Sequence, residues 1–173
     1  MGARFLISSQ TLASSAATVT FSSIPATYTD LVLRVSVRSD NSSTNSKDLM
    51  VTLNNDTASN YSRTSLDANA SAVSTTRQTT TRILTPDIVT TALNTANTFG
   101  VTDIYIPLYG VSQNKQVSVF GAKEQNDNLY AYINSGAGLW RNTATITSVE
   151  IFLSSANFVS GSTFYLYGIS KTN

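Results

Sequence analysis

Residues 140–169 read W-R-N-T-A-T-I-T-S-V-E-I-F-L-S-S-A-N-F-V-S-G-S-T-F-Y-L-Y-G-I. Val149, Ile151 and Leu153 recur at two-residue spacing, so they share one face of an extended segment. Phe164, Tyr165, Leu166, Tyr167 and Ile169 then fill both faces of a second one. Alternation with period two, filled by β-branched and aromatic residues, marks strands rather than helix. The stretch predicts two strands joined by a polar turn, the last of them tied into a sheet.

The same period extends upstream. Leu31, Leu33, Val35 and Val37 alternate with Val32, Arg34, Ser36 and Arg38, and Leu49, Val51 and Leu53 follow. Shorter strands are expected at Phe5 to Ile7, Thr18 to Phe21, Tyr61 to Leu66, Gln78 to Leu84, Phe99 to Tyr109, Val117 to Ala122 and Leu129 to Ile133. Asn54-Asn55-Asp56 reads as a turn, because these side chains tolerate left-handed backbone and bond locally. Ala68 to Thr76 is low in complexity and reads as a separator. Pro86 to Thr98 reads as a loop, with one short helix as the alternative, since Thr and Asn are poor helix formers.

The sum is nine or ten short strands with regular turn signals, which predicts an all-β, antiparallel, jelly-roll-like sandwich. Residues 1–173 are expected to form one domain, a length that buries enough apolar surface without staples. Leu31, Leu33, Val35, Val37, Val51, Leu53, Val149, Ile151 and Leu153 are the expected core, set by shared strand parity.

Composition narrows function by exclusion. The chain has 25 Ser, 25 Thr and 15 Asn, only 12% charged residues and a formal net charge of +1. Hydrophobic residues make up 41%, which sets the chain apart from disordered sequences. No basic patch of the kind that neutralises phosphates is visible, with Arg77 and Arg82 the nearest approach to a pair, so no nucleic acid is expected as partner. No run reaches the ~20 apolar residues of a membrane span. The opening M-G-A-R-F-L-I-S-S-Q reads neither as a secretory signal nor as a myristoylation motif.

Histidine and cysteine are both absent. That removes Ser-His-Asp and Cys-His triads, thiolate metal sites and disulfides together. A two-carboxylate glycosidase would need its acid and base from Glu124, Glu150 and eight aspartates. Glu124 sits in a polar loop, Glu150 alternates outward from its strand, and the aspartates cluster in turns. Asn54-Asn55-Asp56 with Asp67 lacks the ligand spacing of a calcium loop. The expectation is therefore no catalytic residue, no metal and no cofactor. The four Asn-x-Ser/Thr sequons, at Asn41, Asn55, Asn60 and Asn69, match the number chance provides for this composition.

Trp140 is the single tryptophan. Exposed, it would stack a sugar or anchor an interface; buried, it would pack the sandwich. Leu139 and the small residues around it lean towards the core. Tyr130 and Tyr132 join it as candidate contact residues.

The motifs Ala17–Val35 (A-T-V-T-F-S-S-I-P-A-T-Y-T-D-L-V-L-R-V), Leu53–Tyr61 (L-N-N-D-T-A-S-N-Y) and Asn97–Gly100 (N-T-F-G) precede two closing ones. These are L-W-R-N-T-A-T-I-T-S from Leu139 and N-F-V-S-G-S-T-F-Y-L-Y-G-I to Ile169. In this order the set resembles small β-rich virion domains of tailed bacteriophages, found in capsid-decorating and tail-fibre proteins. The resemblance implies a non-enzymatic structural role, and it does not extend over Ser71 to Thr81. It also implies a homotrimer, assembled in host cytoplasm and placed on the outer surface of the virion. With no coiled coil or arm in the sequence, a decoration or cement protein bound to the major capsid protein is expected. The alternative is a tail-fibre or receptor-binding module that takes host glycans through Trp140, Tyr130 and Tyr132.

Overall fold

The computed structural model describes residues 2–126 and 130–170. Twelve strands follow in chain order: β1 (Ala3–Thr11), β2 (Thr18–Phe21), β3 (Asp30–Val37), β4 (Lys47–Leu53), β5 (Tyr61–Asn69) and β6 (Val73–Thr80). They continue with β7 (Ile83–Val89), β8 (Gly100–Ile106), β9 (Lys115–Lys123), β10 (Tyr132–Trp140), β11 (Val149–Leu153) and β12 (Thr163–Ser170). All strand-to-strand pairings are antiparallel, in an eight-stranded sheet β1-β12-β3-β8-β9-β10-β5-β6 and a four-stranded sheet β2-β11-β4-β7. The chain is an all-β sandwich.

Eight of these strands, in the orders β1-β12-β3-β8 and β2-β11-β4-β7, follow the strand order of a jelly roll. The other four belong to two inserted hairpins, β5–β6 and β9–β10. Both add to the β8 edge and widen one sheet only. Strand β7 packs beneath this wing against β5, β9 and β10, while β6 overhangs and is exposed along most of its length.

All nine residues expected in the core are buried, none more than 5% exposed. Parity explains the result: in β3 the residues Leu31, Leu33, Val35 and Val37 face the small sheet, whereas Arg34 points to solvent. Phe164 and Leu166 close the same core from β12, and Phe158 meets Phe164 edge-on at 5.0 Å.

Several expectations are corrected. The two terminal strands are not a hairpin: β11 pairs with β2 and β4, whereas β12 pairs with β1 and β3 in the other sheet. Each strand has its own apolar face, so alternation alone does not reveal that the connection crosses the sandwich. The segment Ala68 to Thr76 is no separator but the end of β5, a tight turn and the start of β6. Val73, Thr75 and Thr76 are β-branched and fit a strand, and Asn69 closes the turn with its backbone N–H on the Ala72 carbonyl, 3.0 Å. Gln78 to Leu84 divides between β6 and β7.

Pro86 and its neighbours up to Val89 are strand rather than loop. Proline is tolerated there because β7 is an edge strand with no neighbour on its open side. The rest, residues 91–98, is a loop held by Arg38, whose guanidinium donates to the Asn94, Thr95 and Thr98 carbonyls. The strand expected at Leu129 to Ile133 begins at Tyr132 and continues to Trp140, and Leu129 lies outside the described residues.

Two glycines of the quoted motifs are fixed by close approach. A Cβ on Gly100 would lie 1.9 Å from the Ile88 carbonyl oxygen, and one on Gly168 would lie 2.2 Å from the Tyr28 ring. Asn54 and Asn55 adopt the left-handed backbone expected of the turn after β4, with φ of 51° and 55°.

Candidate interaction face

The outer face of the wide sheet follows directly from strand parity. Where Val117 and Val119 of β9 face inward, Phe120 faces out; where Asn134 and Trp140 of β10 are buried, Ile133 faces out. The pairing registers align these outward residues in rows. One row runs Tyr165, Arg34, Asp103, Phe120, Ser135, Leu66, Thr75 from β12 to β6. The adjacent row runs Thr163, Ser36, Val101, Ala122, Ile133, Ala68, Val73.

Five large apolar side chains on these two rows are open to solvent. Val101 is 49% exposed, Phe120 54%, Ile133 54%, Leu66 49% and Val73 70%. Scattered exposed hydrophobics are ordinary on soluble proteins, but a contiguous patch marks an interaction surface. Four of the five lie on the inserted hairpins and one on β8, to which the hairpins add.

On these two rows the charge is self-cancelling. Arg34 donates to both Asp103 oxygens, Nε at 2.7 Å and the terminal nitrogen at 2.6 Å. The Asp103 hydrogen bond and charge raise the Arg34 pKa further above its ordinary value. Such an exposed pair adds at most about 1 kcal/mol to stability, but its forked geometry fixes both side chains. Beside it, Arg34, Asp103, Phe120 and Tyr165 line a shallow groove of about 390 Å³. A second hollow of about 490 Å³, lined by Val101, Ala122, Lys123, Tyr132 and Ile133, adjoins it.

The three contact residues expected from sequence are not brought together on this face. Trp140 is fully buried, stacked on Tyr61 with ring centroids 6.2 Å apart, and its Nε1 donates to Asp56 at 2.7 Å. It is a core residue and offers no stacking surface to a ligand. Tyr132 is half-buried on the second hollow, with the buried Lys123 ammonium 5.0 Å from its ring. Tyr130 is also half-buried. Only one residue of the apolar face stands out in the sequence: Phe120 breaks the parity set by Val117 and Val119, and the rest depends on cross-strand register.

Residues of the quoted motifs bond to one another within the fold. Asn54 Oδ1 accepts from the backbone N–H of Thr147 and Ser148, and its Nδ2 donates to Thr145. The motif beginning at Leu53 thus clamps the one beginning at Leu139.

A polar cleft of about 260 Å³ lies on the opposite side of the wing, where Arg63, Asp67, Thr76 and Asp87 face one another. Asp48 stands next to it and accepts the Asp87 backbone N–H at 3.1 Å. Burial raises the Asp48 pKa and the nearby Asp87 carboxylate adds to this, outweighing the Asp87 N–H bond and the charges of Arg63 and Lys47. A carboxyl whose pKa is raised by folding opposes folding once it ionises. Its penalty is absent below the ordinary carboxylate value, about 3.9, and grows as pH rises through the raised one. Asp48→Asn keeps the acceptor oxygen and removes the charge. Its Tm is expected to exceed that of the parent at pH 7 and to match it at low pH. An equal difference at both pH values would show that Asp48 ionises without penalty.

Among the described residues no group of three or more Asp or Glu is placed to hold a metal ion. The chain matches no protein-family model, no curated protein and no solved structure.

Proposed function

We propose that the protein is a bacteriophage virion structural component, a decoration or cement protein that binds the major capsid protein and reinforces the head shell without catalysing a reaction. The observation that carries this reading is the exposed apolar face of the wide sheet, whose two apolar rows hold one charge pair, Arg34–Asp103, already neutralised. A rigid sandwich presenting such a face is suited to lie flat on another protein surface and exclude water from it. The jelly-roll order, the hydroxyl-rich neutral surface and the resemblance to tailed-phage virion domains support the same assignment. In this reading the protein acts on the outer surface of the capsid as a homo-oligomer.

The neutral face predicts the salt response. Binding that gains little from ionic attraction loses little when charges are screened, and in about 1 M salt the Debye length falls to roughly 3 Å. Virions washed in such salt are expected to keep their copies of the protein. Phe120→Asp and Ile133→Asp are expected to cut retention at least tenfold while leaving Tm near that of the parent, because both residues are already open to solvent. Release in proportion to ionic strength would overturn the neutral interface. Recovery only with detached tails would instead favour a receptor-binding module, for which the groove beside Phe120 and Tyr165 is the place a glycan ring would stack.

A further inference from the structure

The edges of the two sheets are unequally protected. Strand β2 has four residues. Strand β7 contains Pro86, and Asp87 within it has a φ of 55°. The β1 ladder shifts register between Leu6 and Ser8. Short length, proline and bulges are the usual means of blocking strand addition. Strand β6 has none of them. It pairs with β5 without a register shift from Tyr61↔Thr80 to Ala68↔Val73, and Arg77 is its only charged residue.

We propose that β6 pairs with β6 of a second copy of this chain, joining two wide sheets edge to edge about a two-fold axis through Thr76. This inference is independent of the capsid assignment. It also differs from the three-chain assembly that the phage resemblance implies.

Backbone parity selects the register. Asn69 bonds Ala72 across the hairpin turn, so along the antiparallel ladder Ser74, Thr76, Gln78 and Thr80 direct their backbone groups to β5. Val73, Thr75, Arg77 and Thr79 therefore present theirs to the open side. Two copies bond only where open groups face open groups. Opposed residue numbers must then sum to an even value, which also keeps the apolar faces of both sheets on the same side. Centring on Arg77 would set two guanidinium groups directly opposite, an unfavourable pair. Centring on Thr76 pairs Val73 with Thr79 and Thr75 with Arg77, in both directions, and uses the whole strand. It also brings the Leu66 and Val73 patches of the two copies together at the seam.

The chain contains no cysteine, so one introduced thiol reports the register without background. Thr76→Cys would place two thiols across a non-hydrogen-bonded antiparallel pair, with Cα atoms about 4.5 Å apart, within disulfide reach. Thr75→Cys would place its thiols on Cα atoms about 8–9 Å apart, beyond reach. Under mild oxidation Thr76→Cys is expected to give a covalent dimer and Thr75→Cys to remain a single chain on a non-reducing gel. Sedimentation of the parent should show a two-chain species at high micromolar concentration. Thr75→Pro, which removes only an outward N–H, should leave a folded single chain. A parent that sediments as one chain, a three-chain mass, or equal cross-linking from both positions would overturn the pairing.

Discussion

Trp140→Ala is expected to cost about 3–5 kcal/mol of unfolding free energy, as for other fully buried large aromatics. The indole is 0% exposed and lies against the Tyr61 ring. Its Nε1 is bonded to Asp56 Oδ2, which also accepts from Asn60 Nδ2 at 2.9 Å. The Tyr61 hydroxyl accepts the Leu53 N–H at 3.0 Å and reaches the Asp56 carbonyl at 3.1 Å. Removing the indole therefore leaves a cavity and takes one donor from a carboxylate. Hydrogen bonds from Asn60 and Trp140 hold the Asp56 pKa below the ordinary carboxylate value. Trp140→Phe keeps most of the ring and loses the donor, so its expected cost is smaller, about 1–3 kcal/mol. Urea denaturation checks both. A loss below about 1 kcal/mol for the alanine variant would place the indole at the surface after all, since ordinary surface substitutions stay near zero.

This cluster shows what kind of information a motif carries. Leu53 to Tyr61 and the segment from Leu139 are far apart in sequence, yet Asp56, Asn60, Tyr61 and Trp140 form one bonded unit. Aromatic and Asn residues in a fixed order look like a recognition motif in a linear reading. In the fold they hold the turn after β4 against the end of β10. Nothing in their spacing separates the two uses, because both require the same residue types in the same order.

Strands with an apolar row at two-residue spacing were legible, whether or not the other face is wet, and those without one were not. Strands β2, β3 and β11 stand out because every second residue is apolar and buried. Strand β6 carries no such contrast: it overhangs the small sheet and is wet on both sides, so V-S-T-T-R-Q-T-T reads as low complexity. Strand β10 is obscured by Gly136 and Gly138, which place backbone where side chains would show a period. The interaction face was illegible for a related reason. Phe120, Ile133 and Leu66 occupy the parity expected to be polar, and a reading that assigns apolar residues to the core takes them for noise. Their meaning depends on cross-strand register, which aligns residues more than fifty positions apart.

Leu33→Ala is expected to cost about 2–5 kcal/mol, whereas Phe120→Asp on the other face of the same sheet should stay within about 0.5 kcal/mol of the parent. Leu33 is 2% exposed and paired with Leu166 on one side and Ile104 on the other, so its truncation opens a void in the middle of the sandwich. Phe120 is 54% exposed and loses little folded-state contact when replaced. The two variants should therefore separate in opposite directions: Leu33→Ala lowers the denaturation midpoint yet retains capsid binding while folded, and Phe120→Asp keeps the midpoint and loses binding. Both outcomes follow from the two-residue period, since a register slip of one would exchange the faces and reverse them. A Leu33→Ala loss under 0.5 kcal/mol, measured by urea denaturation, would mean that the inward face of β3 had been taken for the outward one. The interaction surface argued from Phe120 would then fall with it, because both assignments derive from the same ladder of pairs across β3, β8 and β9.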